Sequence, residues 1–339
     1  ENTLSEFGGV SRGVCETENN TLLSIKETHE LQKKDNVVIG KYDNETVYHN
    51  LGTQVAMNLI GFQKTIFEKL NNDFSIFLSD NINDPKKEFL IPDVVNDLIE
   101  DKVHVEKTDG MFDPTVGPIV NKWGFGPDKI DKVPSEAEIN QLIKFVGFDK
   151  ITFSEGHIHK KFKESYIDFS SIAKGYAVDI IHNHLKLKNL TDTYVEIGGE
   201  VRVSGKNIKK NNWVLGIREP SFDGNINLSA KVSLPNMSLA TSGNYLNKYY
   251  VDDSLFFHTI NPKSGYPAYT NMLSASVFSD NCLTADAYAT AFMAMNFKDS
   301  KRILNSLDNL LGYFIYIDDG EARIYISDGL KPYISVNEK

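Results

Sequence analysis

The stretch from Asp168 to Asp179 joins an apolar segment to a helix through a short polar corner, and it limits the local fold more than any other part of the chain. Apolar residues four apart after the corner predict a helix that is buried on one side. Ser170 and Ser171 are typical N-cap residues, so we predict that the helix begins at these serines, after a strand over residues 166–169. The unpaired N–H groups of a helix start attract anions, and we expect a phosphate there.

Lys174 and Gly175 are unusual residues for a first helical turn. The lysine opposes the helix dipole, and the glycine lowers helix propensity. Both are explained if a polyanion approaches the helix closely. The other interpretation is a solvated lysine beside a glycine that allows close helix packing, and the stretch alone favours neither.

The formal net charge of −10 argues against a nucleic-acid or anionic-membrane partner, because such partners need clustered Lys and Arg. A phosphate-bearing ligand would therefore need a cation beside it. Cys15 and Cys282 are too few for a disulfide framework. Residues 1–45 are polar and poor in aromatics, which predicts a flexible tail before one folded domain over residues 46–339.

The hydrophobic pattern of that domain predicts an α+β fold, with a mainly antiparallel sheet and packed helices. Nucleotide-binding glycine loops, the nucleophile elbow of hydrolases and Cys-x-x-Cys pairs are absent from the sequence. The predicted strands cover residues 46–59, 150–153, 193–205, 213–217, 227–234 and 255–260, and the predicted helices cover residues 63–77, 92–107, 134–146 and 283–295.

Residues 109–126 combine several glycines and prolines with Phe112, Trp123 and Phe125. This segment is too punctuated for a regular element and too aromatic for an ordinary loop. One interpretation is an aromatic wall against a ligand. The other is a loop that turns its own aromatic rings inward.

Two groups could carry chemistry in the last third of the chain. Asp286 and Thr290 are one turn apart on the Ala-rich helix, for which Thr284 is the expected N-cap. Their oxygens suit Mg²⁺, although Asp286 could simply favour the helix dipole while Thr290 packs. His258 ends a strand, where an unperturbed pKa of ~6.5 suits a general base, and a structural role is the alternative.

Taken in order, the motifs of this chain resemble those of the ApbE family, whose members are FAD:protein FMN transferases. The resemblance runs from about residue 46 to the C-terminus. The motifs are Leu51-Gly-Thr53, Gly110-Met-Phe-Asp-Pro-Thr-Val-Gly-Pro118, Trp123-Gly-Phe-Gly126, Asp168 to Asp179, Glu196-Ile-Gly-Gly199, Thr241-Ser-Gly243, His258-Thr-Ile-Asn-Pro-Lys-Ser-Gly-Tyr-Pro267 and Ala285-Asp-Ala-Tyr-Ala-Thr290.

The resemblance implies a fold related to the T-fold, with FAD and Mg²⁺ between sheet and helices. It implies that FMN is moved from FAD onto a Thr or Ser hydroxyl of an acceptor protein and that AMP leaves. The implied metal ligands are the main-chain oxygen of Ala173 and the side chains of Asp286 and Thr290, and the implied base is His258. The implied FAD contacts are Leu51, Phe77, Met111, Phe112, Asp113, Ser170, Tyr176 and Ile260, to which the polyanion argument adds Lys174.

The resemblance also implies a partner and a location. The acceptor is expected to be a redox flavoprotein subunit with a Ser/Thr-Gly-Ala-Thr motif, which this chain lacks. The location is expected to be extracytoplasmic, at the periplasm or cell surface, with a lipid anchor as an option. Two other functions stay open, namely Mg²⁺-dependent hydrolysis of FAD to FMN and AMP, and flavin binding without turnover.

Overall fold

The computed structural model describes residues 102–126, 132–154, 157–221, 227–244, 248–251 and 254–336, together with the backbone of short strand segments nearer the N-terminus. Those segments are Cys15–Glu16, Leu22–Leu23, Asn36–Val38, Lys41–Tyr42, Glu45–Thr46 and Asn50–Gly52. Leu51 belongs to the last of them, but its side chain lies outside the described residues, as do Phe77 and the predicted helix over residues 63–77. The domain boundary at residue 46 stays a prediction.

The elements from residue 102 onward alternate strands with a few helices. The helices are α1 (Lys102–Lys107), α2 (Gly117–Lys122), α3 (Glu136–Leu142), α4 (Ala173–Leu187), α5 (Cys282–Met293) and α6 (Phe297–Leu304). The strands are β1 (Ile151–Ser154), β2 (His157–Lys160), β3 (Thr193–Ile197), β4 (Glu200–Ser204), β5 (Trp213–Arg218), β6 (Leu228–Leu234), β7 (Met237–Gly243), β8 (Lys248–Val251), β9 (Ser254–Phe257), β10 (Ile260–Asn261), β11 (Tyr266–Pro267), β12 (Met272–Ser279), β13 (Leu311–Asp318), β14 (Glu321–Ile326) and β15 (Ile334–Val336).

A six-stranded sheet forms the centre of the fold, in the order β14-β13-β12-β7-β4-β3. A second sheet has the order β5-β6-β15, and β1–β2, β8–β9 and β10–β11 are separate hairpins. Neighbouring strands within both sheets are antiparallel. The predicted α+β class with a mainly antiparallel sheet is confirmed.

The central sheet is covered on both faces. Val277 of β12 lies in the core cluster that contains the side chains of α5, whereas the next residue, Phe278, lies in the cluster that contains β5 and β6. Successive strand residues point to opposite faces, so the helices cover one face and the second sheet covers the other. This double coverage explains why seven of the eight residues of β12 are buried.

The predicted start of the central helix is wrong by two residues. The helix α4 begins at Ala173, and its N-cap is Ile172, which provides no side-chain cap. Ser170 instead bonds Asp168: its N–H donates to Asp168 Oδ1 at 2.8 Å, and its hydroxyl donates to the same oxygen. Because Asp168 supplies a local acceptor, the serine completes a turn rather than capping the helix.

The predicted strand over residues 166–169 is also wrong. These residues are assigned to no strand, and the Asp168 N–H donates to Pro114 O at 2.7 Å. The segment has the apolar composition of a strand, but this bond ties it to the turn before α2 rather than to a sheet. At α5, Asn281 and not Thr284 is the N-cap, since its side chain accepts the Thr284 N–H at 2.8 Å.

Two of the three aromatic residues that we singled out in segment 109–126, Trp123 and Phe112, are buried. Trp123 is 2% exposed and packs against Phe256 with ring centroids 5.3 Å apart. Its indole N–H donates to Gly265 O at 2.8 Å, which ties α2 to the hairpin β10–β11. Phe112 is buried in the main core. The interpretation of an inward-turned loop is therefore confirmed for these two rings.

Asp179 links helix α4 to helix α5 and to strand β4. It lies on α4, and its carboxylate accepts the N–H groups of Cys282 and Leu283 at the start of α5, both at 2.9 Å. The same carboxylate is 2.6 Å from Arg202 on β4. The side chain thus stabilises the N-terminus of α5 and ties α4 and α5 to strand β4 of the central sheet.

We predict that Asp179→Ala lowers the free energy of unfolding by roughly 2–4 kcal/mol, because it leaves a partly buried arginine without its partner and two helix N–H groups without an acceptor. Urea unfolding followed by circular dichroism measures the loss. Glu321→Ala is the control, since its ion pair with Arg323 is solvent-exposed and should contribute under about 1 kcal/mol. Equal losses in the two variants would contradict the role of Asp179.

Candidate active site

A buried ionic cluster lies where the first turn of α4 meets α5. Asp286 is 2% exposed, and its Oδ2 accepts the Gly175 N–H at 3.0 Å. The same Oδ2 is 3.6 Å from Lys174 Nζ, which in turn is 3.1 Å from Oε1 of Glu200. Two carboxylates therefore share one lysine, and the interpretation of Lys174 as simply solvated is wrong.

Gly175 allows this cluster to form. A Cβ at this position would be 2.4 Å from the carbonyl oxygen of Cys282 and 2.9 Å from Cβ of Asp286. Any side chain would push α4 and α5 apart, because the first contact is with backbone. The interpretation of a glycine required for close helix packing is confirmed, and that packing brings Asp286 to the start of α4.

The glycine pair between β3 and β4 forms the opposite wall of the cluster. Gly198 has a φ of +63°, which favours glycine, and a Cβ there would be 3.2 Å from Cδ of Lys174. The turn therefore lies against the lysine side chain. It also places Glu200, the first residue of β4, next to the lysine ammonium.

Burial dominates the electrostatics of the cluster. It raises the pKa of Asp286 above the usual value, against the effect of Lys174 and the Gly175 N–H. Burial, followed by repulsion from Asp286, raises the pKa of Glu200 to about 7. Burial alone would lower the pKa of Lys174, but the charges of Asp286 and Glu200 outweigh it and raise that pKa. Two carboxyl groups thus share one ammonium, and an added cation would favour the ionised form of both.

The donor set expected for Mg²⁺ fits this place in the fold. Asp286 and Thr290 both lie on α5, one turn apart, and Ala173 is two residues from the Gly175 N–H that Asp286 binds. Within the described part of the chain, no group of three or more His, Cys, Asp or Glu side chains could hold a metal. A carboxylate with hydroxyl and carbonyl oxygens is nevertheless a normal set for Mg²⁺, which keeps several waters.

The expected FAD contacts near α4 differ in exposure. Ser170 is exposed, on the Asp168 turn that precedes the helix. Tyr176 is only 9% exposed and belongs to the main core. A ligand phosphate at this corner would therefore meet Ser170 and the first turn of α4 before it met Tyr176.

Met111, Phe112 and Asp113 are held by their own local bonds. The Phe112 N–H donates to Thr108 Oγ1 at 3.1 Å, and its ring is buried, so it can offer a ligand its backbone rather than its ring. Asp113 Oδ1 accepts the Thr115 N–H at 2.8 Å, and burial raises the pKa of its carboxyl. Its carboxylate thus shapes the turn before α2, while Met111 packs half-buried against the main core.

His258 and Ile260 lie on the other side of the fold, around the hairpin β10–β11. His258 follows β9, is half-buried, and its ring centroid is 6.4 Å from that of Phe125 in an edge-on arrangement. Ile260, the first residue of β10, is 6% exposed and lies in one core cluster with Trp123. Phe125 of segment 109–126 therefore packs beside the expected base, His258. Trp123, the largest ring of the segment, is buried and forms no wall against a ligand.

A cleft of about 580 Å³ lies between Met111, which packs against the main core, and Asn261, in the turn after Ile260. Neither the ionic cluster of Lys174 and Asp286 nor His258 lines it. Several of its polar side chains are already engaged: Asn261 Oδ1 accepts the Lys263 N–H at 2.9 Å, and Asn271 Oδ1 accepts the Phe297 N–H at 2.9 Å. The cleft adjoins the expected FAD contacts but adds few unsatisfied polar groups.

The structure brings Lys174 and Asp286 together, with Ala173 next to Lys174 in the chain and Thr290 one turn from Asp286 on α5, whereas His258 and Ile260 lie at the hairpin β10–β11. Glu200 is the residue that the sequence prediction missed. Its signal was present, because a carboxylate directly follows the glycine pair of the motif that ends at Gly199.

Comparison with known proteins decides the family. The profile of the ApbE family matches residues 51–315. The chain belongs to the ApbE family. It is 30% identical over 278 residues to the FAD:protein FMN transferase of Vibrio cholerae, a match that covers 80% of this chain and 83% of that protein. It is 36% identical over 236 residues to the FAD:protein FMN transferase of Haemophilus influenzae, over 68% of each chain.

Solved ApbE structures have the same fold. The flavin transferase ApbE from Vibrio cholerae superposes with a TM-score of 0.73 at 27% identity, over 88% of this chain and 95% of that one. The apo form of the flavinyl transferase ApbE from Pseudomonas stutzeri gives a TM-score of 0.72 at 25% identity, over 88% and 92% of the two chains. The ApbE architecture therefore extends over most of this protein.

Among the described residues, no helix is both long enough and apolar enough to cross a bilayer.

We predict that the ionic cluster of this ApbE protein makes its stability depend on pH. Between about pH 4.5 and about pH 7, native Glu200 binds more protons than it does in the unfolded chain, so the free energy of unfolding falls as pH rises through that window. Glu200→Gln removes this contribution. Relative to the wild type, the variant should gain roughly 1–3 kcal/mol across the window. Urea unfolding of the metal-free proteins tests this, and a constant difference between them would contradict it.

Proposed function

We propose that this protein is an FAD:protein FMN transferase, which moves FMN from FAD to a hydroxyl of an acceptor protein and releases AMP. The observation that carries the proposal is the buried cluster of Asp286, Lys174 and Glu200 at the first turn of α4. Such a site suits a polyanion held through cations. The Vibrio cholerae and Haemophilus influenzae relatives that bear this name support the same reaction.

The diphosphate of FAD binds at the corner before α4. Ser170 is exposed there, and the start of α4 carries the partial positive charge of the helix dipole, while the N–H groups of Ala173 and Gly175 already donate to Phe169 O and Asp286. Lys174 supplies a positive charge from within that turn. These groups offset the repulsion that a chain of net charge −10 would otherwise exert on the ligand.

Asp286, Thr290 and the main-chain oxygen of Ala173 would hold Mg²⁺. The bound ion would supply positive charge to offset that of the diphosphate and of the leaving phosphate. Asp286 is the only carboxylate in this set, and it is 2% exposed. It is therefore the ligand whose loss matters most.

His258 acts as the general base. It accepts the proton of the acceptor hydroxyl as that oxygen attacks the phosphorus of the FMN half, and the bond to the AMP half breaks. Its half-buried position after β9, beside Phe125 and three residues before Asn261 of the cleft, supports this role.

The acceptor is a redox flavoprotein subunit with a Ser/Thr-Gly-Ala-Thr motif. The reaction takes place outside the cytoplasm, at the periplasm or cell surface. The absence of that motif from this chain favours an acceptor other than the enzyme itself.

A labelling assay tests the transfer. The protein is incubated with FAD, Mg²⁺ and an acceptor domain that carries the motif, and flavin fluorescence is read on a denaturing gel. We expect a fluorescent acceptor band, and one equivalent of AMP for each flavin attached. AMP release at full rate without acceptor, and no band, would favour FAD hydrolysis. Intact FAD after prolonged incubation would favour flavin binding without turnover.

We predict that Asp286→Asn and His258→Ala both reduce labelling by at least about a hundredfold, for different reasons. Asp286→Asn removes the charged metal ligand, so a higher Mg²⁺ concentration should restore part of the rate. His258→Ala should bind FAD with unchanged affinity, measured by fluorescence titration, and excess Mg²⁺ should not rescue it. Loss of FAD binding in His258→Ala would assign that residue to ligand support instead.

A further inference from the structure

Glu200 is a buried carboxylate whose position the proposed reaction does not yet explain. It is 3% exposed, and its Oε1 is 3.1 Å from Lys174 Nζ. Its other oxygen, Oε2, has no hydrogen-bond partner among the residues that the structure describes. A buried charged oxygen without a partner costs stability. Its presence therefore calls for a function in the site.

Lys174 lies between two carboxylates but is closer to one of them. Its Nζ is 3.1 Å from Glu200 and 3.6 Å from Asp286. Its side chain is 43% exposed, whereas those of Glu200 and Asp286 are 5% and 2% exposed. The lysine thus borders the open side of the site, with its two acceptors beneath it.

The glycine turn fixes this arrangement from the other side. Gly198 lies against Cδ of Lys174, and Glu200 follows directly at the start of β4. Glu200 is thereby held at the start of β4, and the lysine that pairs with it cannot move far without breaking the ion pair. Asp286 lies on α5, a separate element, so the two carboxylates occupy fixed positions on either side of one ammonium.

An ammonium and a divalent cation compete for the same carboxylate. Oδ2 of Asp286 already accepts the Gly175 N–H, and full pairing with Lys174 would have to be broken before a cation could bind. A second carboxylate that binds the ammonium more closely weakens that competition, as the distances of 3.1 Å to Glu200 and 3.6 Å to Asp286 indicate.

We propose that Glu200 is a positioning residue, which holds the Lys174 ammonium away from Asp286 and so keeps Asp286 available to a divalent cation. This inference rests on the proposed function, because it assigns a role toward the cation of that same site. In this interpretation the glycine turn of the Glu196–Gly199 motif serves to position Glu200 next to Lys174.

Cation binding without FAD or acceptor tests the inference. Mn²⁺, which accepts the same oxygen ligands as Mg²⁺, is titrated into the purified protein and followed by electron paramagnetic resonance. We expect Glu200→Gln to weaken Mn²⁺ binding by about tenfold, within the usual range for coupled sites. Glu200→Asp, which retains the charge on a shorter side chain, should lie between Glu200→Gln and the wild type.

A double-mutant cycle separates action through the lysine from direct attraction of the cation. Lys174→Met should bind Mn²⁺ at least as tightly as the wild type, because the competing ammonium is gone. In that background Glu200→Gln should change the affinity by less than about twofold. An equal loss in both backgrounds would overturn the inference, since Glu200 would then attract the cation directly. No loss in the wild-type background would overturn it as well.

Glu196→Gln is the matched control. Glu196 lies on the same hairpin, and its carboxylate accepts from the Tyr194 hydroxyl at 2.9 Å. This variant should bind Mn²⁺ as the wild type does, and circular dichroism should show that all variants are folded. A wild type that binds no Mn²⁺ would refute the proposed metal site itself. If the wild type binds Mn²⁺ but Glu200→Gln weakens binding equally in the wild-type and Lys174→Met backgrounds, only the role of Glu200 is refuted.

Discussion

The close crossing of α4 and α5 at Gly175 is the contact on which the site depends. Gly175 and Asp286 are 111 residues apart in the chain, and only the absence of a side chain at Gly175 lets the Asp286 carboxylate reach its N–H. Asp179 holds the same two helices one turn further along, through the first N–H groups of α5. Backbone contact, rather than side-chain packing, therefore sets the geometry of the cluster.

The central sheet makes that crossing rigid. Its strands are buried by helices on one face and by a second sheet on the other, so α5 packs against a fixed surface. Such a core can tolerate destabilising groups nearby. Asp286 and Glu200 are two buried carboxylates with one lysine between them, an arrangement that costs stability and favours a bound cation.

Sequence reasoning predicted the elements better than their ends. The predicted strands between residues 193 and 234 and the Ala-rich helix are present, and α3 lies inside the predicted helix over residues 134–146, where Ser135 and Glu138 form a capping box. The helix start at Ser170 was wrong because Asp168 offers that serine a nearer partner, and the strand over residues 166–169 was wrong because Pro114 O takes the Asp168 N–H. Both errors come from hydrogen bonds that compete with regular structure.

The sequence alone determined the fold class, the family and the residue types able to bind a diphosphate and its cation, since these follow from periodicity and from motifs that are local in the chain. Only the tertiary structure decided which charges face each other. Lys174 pairs with Glu200 and Asp286 because a glycine turn and a helix crossing bring three distant segments within about 4 Å. Electrostatic energy depends on that separation in space, and spacing along the chain does not encode it.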